Sequence, residues 1–111
     1  MEVYTMEIYE QLAGDAARRL RTLGYDNIHV LCGDGYFGLK DKGPFDAIIV
    51  TAAADHIPPP LLKQLKPGGR LVIPLGSPFY IQQLVLVTKD KEGRVMEKPV
   101  IPVRFVPLLG H

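Results

Sequence analysis

Runs of β-prone residues alternate with helical periodicity along most of this chain, and that alternation restricts its folds more than any other feature. The first run is Val3-Tyr4-Thr5-Met6, ending at Glu7. Ile8, Leu12, Ala16, Leu20 and Leu23 then recur at steps of three or four, which predicts one face of a helix. Glu7 and Glu10 in its first turn and Arg18, Arg19 and Arg21 near its end suit the helix dipole. Gly24 reads as the closing glycine. Gly14, at about 1 kcal/mol relative to alanine in a helix interior, implies a neighbour packed close. Ile28-His29-Val30-Leu31-Cys32 is the next strand, closed by Gly33-Asp34-Gly35. Residues 45–51 form a third, whose unbroken Ala47-Ile48-Ile49-Val50 predicts cover on both faces. Pro58-Pro59-Pro60 opens a short helix with Leu61, Leu62 and Leu65 buried, stopped by Pro67-Gly68-Gly69. Residues 70–74 are a fourth strand.

The pattern then changes. Residues 81–89 and 94–98, joined by the turn 90–93, must run antiparallel, and the last strand continues irregularly through Val103-Arg104-Phe105-Val106. Pro99, Pro102 and Pro107 cannot donate ladder hydrogen bonds, so that strand is expected at an edge or with a bulge. The whole order predicts an α/β fold, mostly parallel, with a C-terminal antiparallel hairpin. Ligands on such sheets bind beyond the C-terminal ends of the strands, which selects Glu7, Asp34, Gly35 and Thr51.

Composition narrows the function. Lys and Arg number 13 against 12 Asp and Glu, leaving no basic stripe for nucleic acid and no polybasic membrane anchor. An apolar fraction of 47% in 111 residues fits one domain with one core. No apolar run reaches the roughly 18–20 residues of a membrane span. Met1-Glu2-Val3-Tyr4 lacks the pattern of a signal peptide, and the single cysteine, Cys32, cannot form an internal disulfide. The expectation is a soluble, cytoplasmic single domain.

Gly33-Asp34-Gly35-Tyr36-Phe37-Gly38 matches the spacing of the dinucleotide fingerprint, but that fingerprint must open a helix, and residues 39–44 are too broken for one. Glu7 is either an acceptor for a ribose diol or a carboxylate that starts the helix. Asp34 either accepts from an adenine amino group or caps its own turn. His29, His56 and His111 have no metal-ligand spacing, and Cys32 reads as a small core residue. No nucleophile elbow or acid pair is present, so no catalytic side chain is assigned. The residues alone lead to an α/β domain for an adenosine-like ligand.

Val3-Tyr4-Thr5-Met6-Glu7, Gly33-Asp34-Gly35 and the stretch from Pro44-Phe45-Asp46 to Thr51-Ala52-Ala53 together resemble the protein-L-isoaspartate O-methyltransferase family. So do Gln64-Leu65-Lys66-Pro67-Gly68-Gly69 with the strand after it, and Val103-Arg104-Phe105-Val106-Pro107-Leu108. The resemblance implies a Rossmann-like class I methyltransferase sheet and methyl transfer from S-adenosylmethionine to isoaspartyl carboxylates of damaged proteins. It implies that Glu7 holds the ribose hydroxyls, Asp34 and Gly35 contact adenine, and Thr51 and Ala52 line the cofactor cleft. Arg104, Phe105 and Val106 would lie near the bound peptide.

The resemblance covers the C-terminal half of that family's catalytic domain. Residues 1–111 are therefore expected to form a partial domain, lacking the first strand with its glycine-rich loop and the N-terminal region that contacts substrate. Alone, such a chain is expected to be inactive or nearly so. The strands that flank the missing one are expected to pair with each other or, preferably, with a second copy as a homo-oligomer. The alternative function is a non-enzymatic α/β binding or assembly module.

Overall fold

The computed structural model describes residues 3–7, 9–24, 26–77 and 80–108. Ile8 of the expected helix face and His111 lie outside the described residues. The chain divides into two compact units, Met1–Gly35 with Leu109–His111, and Tyr36–Leu108.

In the first unit, β1 (Val3–Glu7) and β2 (Ile28–Cys32) form a parallel pair, in register from Val3 opposite Ile28 to Glu7 opposite Cys32. Tyr4 and His29 face each other in this register and stack with ring centroids 4.9 Å apart. The crossover is α1 (Glu10–Thr22), acidic at its start through Glu10 and basic in its last turn through Arg19 and Arg21. Gly24, at φ +85°, follows the cap residue Leu23 and donates its N–H to the Arg21 carbonyl, as its position predicts. Only Ala13 of α1 is buried, while along the apolar stripe Leu12 is 54% and Leu23 is 70% exposed. One expectation about the helix fails. A Cβ on Gly14 would meet nothing nearer than the Arg18 guanidinium at 3.6 Å, so no close neighbour requires the glycine.

The second unit is a four-stranded sheet of β3 (Phe45–Ile49), β4 (Leu65–Leu75), β5 (Gln82–Lys89) and β6 (Val95–Val103), in that order. β3 runs parallel to β4, and β4, β5 and β6 are successively antiparallel. The expected α/β class, with parallel pairs and a C-terminal antiparallel hairpin, is the one observed. β6 is both the sheet edge and irregular, its register with β5 shifting between Leu84 and Val85, as the prolines demand.

Leu65, Leu71, Ile73, Val85 and Val87 form the core with Ala54, and Ile48, Val50, Ile57, Leu62, Leu75 and Leu108 pack around it. Only one face of β3 joins this core: Ile49 is 73% exposed and Ala47 is exposed, contrary to the expected double cover. β3 is an edge strand here, with a packed layer on one side only. The strand also stops at Ile49, before Thr51. Among the described residues β1 pairs with β2, and β3 pairs with β4.

The short helix α2 (Pro59–Lys63) starts on prolines and buries Leu61. Leu65 is buried but lies in β4, opposite Phe45. The helix ends at Lys63, and Lys89 donates from Nζ to the carbonyls of Leu62 and Leu65, both at 3.0 Å, which satisfies acceptors at that end. Pro67-Gly68-Gly69 instead makes an irregular bend within β4, where pairing jumps from Phe45–Leu65 to Ala47–Arg70. The 90–93 turn is built on Asp90, whose carboxylate accepts from the backbone N–H of Arg94 at 2.8 Å, its guanidinium at 2.7 Å and the N–H of Glu92 at 2.9 Å. Chiefly through that Arg94 backbone bond, the carboxyl titrates below its usual range.

Candidate functional site

Parallel pairing sets the first group of candidates. Glu7 ends β1, and its carbonyl accepts from the Gly33 N–H at 3.0 Å, which extends the ladder one step past Cys32. Glu7 and Asp34 therefore emerge at the same, C-terminal edge of the β1–β2 pair. Glu7 Oε1 accepts from the Tyr9 N–H at 3.2 Å, so this carboxylate also secures the entry to α1. The reading of Glu7 as the carboxylate that starts the helix agrees with this bond, and a carboxylate has further acceptor capacity beyond it. Asp34 is half-buried, with Oδ2 shielded from solvent. Gly35 begins a single 3₁₀ turn, Gly35–Phe37, in place of an α-helix, consistent with rejecting the dinucleotide fingerprint. A Cβ at Gly35 would meet nothing within 4 Å, so open space adjoins its backbone.

The second group belongs to the other unit. Thr51 is exposed and Ala52 half-buried just beyond the C-terminal end of β3. The next residue, Ala53, donates its N–H to the Val106 carbonyl at 2.7 Å and accepts from the Leu108 N–H at 2.9 Å. Arg104, Phe105 and Val106 are thereby brought beside Thr51 and Ala52. Arg104 and Val106 are exposed on either side of half-buried Phe105.

Sequence reasoning missed three side chains around these loops. Gln82 is 1% exposed, and its carboxamide holds the Phe105 peptide unit, accepting from the Phe105 N–H at 2.7 Å. Gln64 ties down the 37–39 loop, accepting from the Leu39 N–H at 2.7 Å and donating to the Phe37 carbonyl at 2.9 Å. His56 bridges Tyr36 Oη, 3.1 Å from its Nε2, and Asp55, 2.5 Å from its Nδ1, on the exposed surface. The available signal was polar residues bordering apolar strands; the spacing, taken as strict alternation, points to Gln83 and not to Gln82. Among the described residues no cluster of His, Cys, Asp or Glu could hold a metal ion. Nor is any helix long and apolar enough to cross a membrane.

A family model described as Protein-L-isoaspartate(D-aspartate) O-methyltransferase matches residues 1–111. The chain is 62% identical over 108 residues to Protein-L-isoaspartate O-methyltransferase 2 of Syntrophobacter fumaroxidans, covering 97% of this chain and 44% of that protein. It is 61% identical over 108 residues to Protein-L-isoaspartate O-methyltransferase 1 of Nitrosospira multiformis, covering 97% and 46%. The chain thus spans about half the length of the curated relatives it matches. Among solved structures, a protein-L-isoaspartate O-methyltransferase superposes with TM-score 0.88 at 31% identity, covering 98% of this chain and 34% of that one. A Plasmodium falciparum structure, described as a beta-aspartate methyltransferase in complex with S-adenosyl-L-homocysteine, gives TM-score 0.83 at 28% identity, covering 97% and 52%.

Proposed function

Since the chain belongs to the protein-L-isoaspartate O-methyltransferase family, we propose that its residues form part of a methyltransferase domain that binds S-adenosylmethionine and methylates isoaspartyl carboxylates of damaged proteins. The observation that carries this reading is the placement of Glu7 and Asp34 at one edge of a parallel pair. Two carboxylates there suit a nucleoside: Glu7 accepts from the ribose hydroxyls, and Asp34 accepts from the adenine amino group. The open space at Gly35 leaves room for the ring. Within residues 36–108, taken by themselves, Thr51 and Ala52 are assigned to the cofactor and Arg104, Phe105 and Val106 to the peptide.

When bound, S-adenosylmethionine supplies an electrophilic methyl group on a sulfonium. The free carboxylate of an isoaspartyl residue, an α-carboxylate with a reference pKa of about 3.5, is ionised at pH 7 and needs no general base. The protein's task is placement, which accounts for about 7–11 kcal/mol in well-oriented reactions. That division of labour agrees with a site in which no side chain is assigned an acid or base role.

Titration of the chain with S-adenosyl-L-homocysteine tests the proposal. Binding is expected, and Glu7→Ala and Asp34→Ala should each weaken it about tenfold or more, the scale of a hydrogen bond to a charged group. Equal affinity in both variants would refute the assignment. In the same preparation, residues 1–111 alone are expected to methylate an isoaspartyl peptide poorly or not at all, because the residues assigned here grip only the nucleoside end of the donor.

The β3 edge adds a proposal about assembly. Its outer backbone groups have no strand beside them among the described residues, and Ile49 lies 73% exposed next to them. Such edges recruit another chain, and we assign a second copy as the partner. Sedimentation at micromolar concentration should show a dimer that Ile49→Lys dissociates; a monomeric parent chain would refute it.

A further inference from the structure

The peptide-side segment is held in an unusual way. Backbone pairing between β5 and β6 ends where Gln82 faces Val103, two residues short of Phe105. Beyond that point the Gln82 side chain takes over. Its Oε1 accepts from the Phe105 N–H at 2.7 Å, and its Nε2 lies 3.4 Å from the Phe105 carbonyl. Nε2 also donates to the carbonyls of Ser77 and Tyr80, both at 3.0 Å. Gly76, at φ +136°, packs so tightly that a Cβ there would stand 3.3 Å from Gln82 Cα.

A carboxamide buried to 1% exposure is costly unless its donors and acceptor are all used, and here they are. Filling this space alone would need only an apolar side chain. The amide instead joins the carbonyls of Ser77 and Tyr80 to residue 105, and the Ala53 bridge fixes the same segment three residues further on, at Leu108. Arg104 and Val106 flank the first tie on either side, and both stand exposed. Ordering such a loop in advance removes an entropic cost from binding.

We propose that Gln82 is a positioning residue for the polypeptide substrate: its buried carboxamide presets the Phe105 backbone, and thereby Arg104 and Val106, for an isoaspartyl peptide. The inference rests on the reading of residues 104–106 given under the proposed function. It makes no demand on the nucleoside side, where Glu7 and Asp34 act.

The test measures two ligands on the 111-residue chain. Gln82→Met, similar in volume but unable to bond, should raise amide exchange at Phe105 at least tenfold and weaken an isoaspartyl peptide at least tenfold. Affinity for S-adenosyl-L-homocysteine should stay within twofold. Gln82→Glu keeps an acceptor for the Phe105 N–H but loses the donors, so it should fall between parent and Gln82→Met; it carries the test if Gln82→Met does not fold. A merely structural residue would lower the unfolding midpoint without separating the two affinities. Unchanged peptide affinity in the Gln82 variants, with Val106→Asp weakening it, overturns the role of Gln82 and leaves the substrate surface standing. Unchanged affinity in Val106→Asp as well overturns the substrate surface, and this inference with it.

Discussion

Leu71→Ala is expected to lower the free energy of unfolding by about 2–5 kcal/mol. Leu71 is fully buried in β4, facing Ile48 of β3 on one side and Val87 of β5 on the other. Truncation removes contacts with both neighbours and leaves a cavity that two hydrogen-bonded strands prevent from closing. Whole domains are stable by only about 5–15 kcal/mol, so this variant stands near the limit of folding. Urea unfolding, followed by circular dichroism, measures the effect. Met96→Ala, at a side chain 60% exposed on the edge strand β6, serves as the comparison and should change stability by no more than about 0.5 kcal/mol. Similar losses in both variants would mean that the core does not lie where the packing puts it.

The second large effect concerns backbone approach. A Cβ on Gly69 would lie 2.7 Å from Leu65 Cδ1, 2.8 Å from the Lys66 carbonyl oxygen and 3.0 Å from the Asp46 carbonyl oxygen. Two of those atoms are backbone, and both belong to the irregular crossing of β3 and β4. Neither can swing aside as a side-chain end would. Gly69→Ala is therefore expected to cost about 1–3 kcal/mol, the usual range for overpacking. Gly14→Ala is the informative contrast. Its Cβ would have room beside Arg18, and alanine is the better helix former, so a gain of about 0.5–1 kcal/mol is expected. Thermal unfolding of the two variants should move the midpoint in opposite directions; a shift of the same sign would contradict the packing described.

Much of the fold was legible because its periodicities are local. The strand 28–32 is observed at the predicted bounds, and the helix, the 90–93 turn and the irregular edge strand also follow from local patterns. Each depends on neighbours within a few residues: a step of three or four, a glycine after the last turn, prolines that cannot donate. The end-of-strand rule likewise picked out Glu7 and Asp34, because a parallel pair in register must deliver both to the same edge. Cover was not legible. Ala47-Ile48-Ile49-Val50 reads as buried on both sides, yet whether Ile49 meets a packed layer or solvent depends on what lies beside β3.

Residue chemistry and spacing by themselves determined the α/β class, the antiparallel end and the two carboxylates at the end of the first parallel pair. Only the tertiary structure decided that Gln82 turns inward while Gln83 is exposed. Strict alternation back from Val87 and Val85 would have buried Gln83, but the pattern breaks where the β5–β6 register shifts. The physical reason is the range of the interaction: propensity and capping act between chain neighbours, whereas Gln82 finds its hydrogen-bond partner in a peptide group 23 residues away.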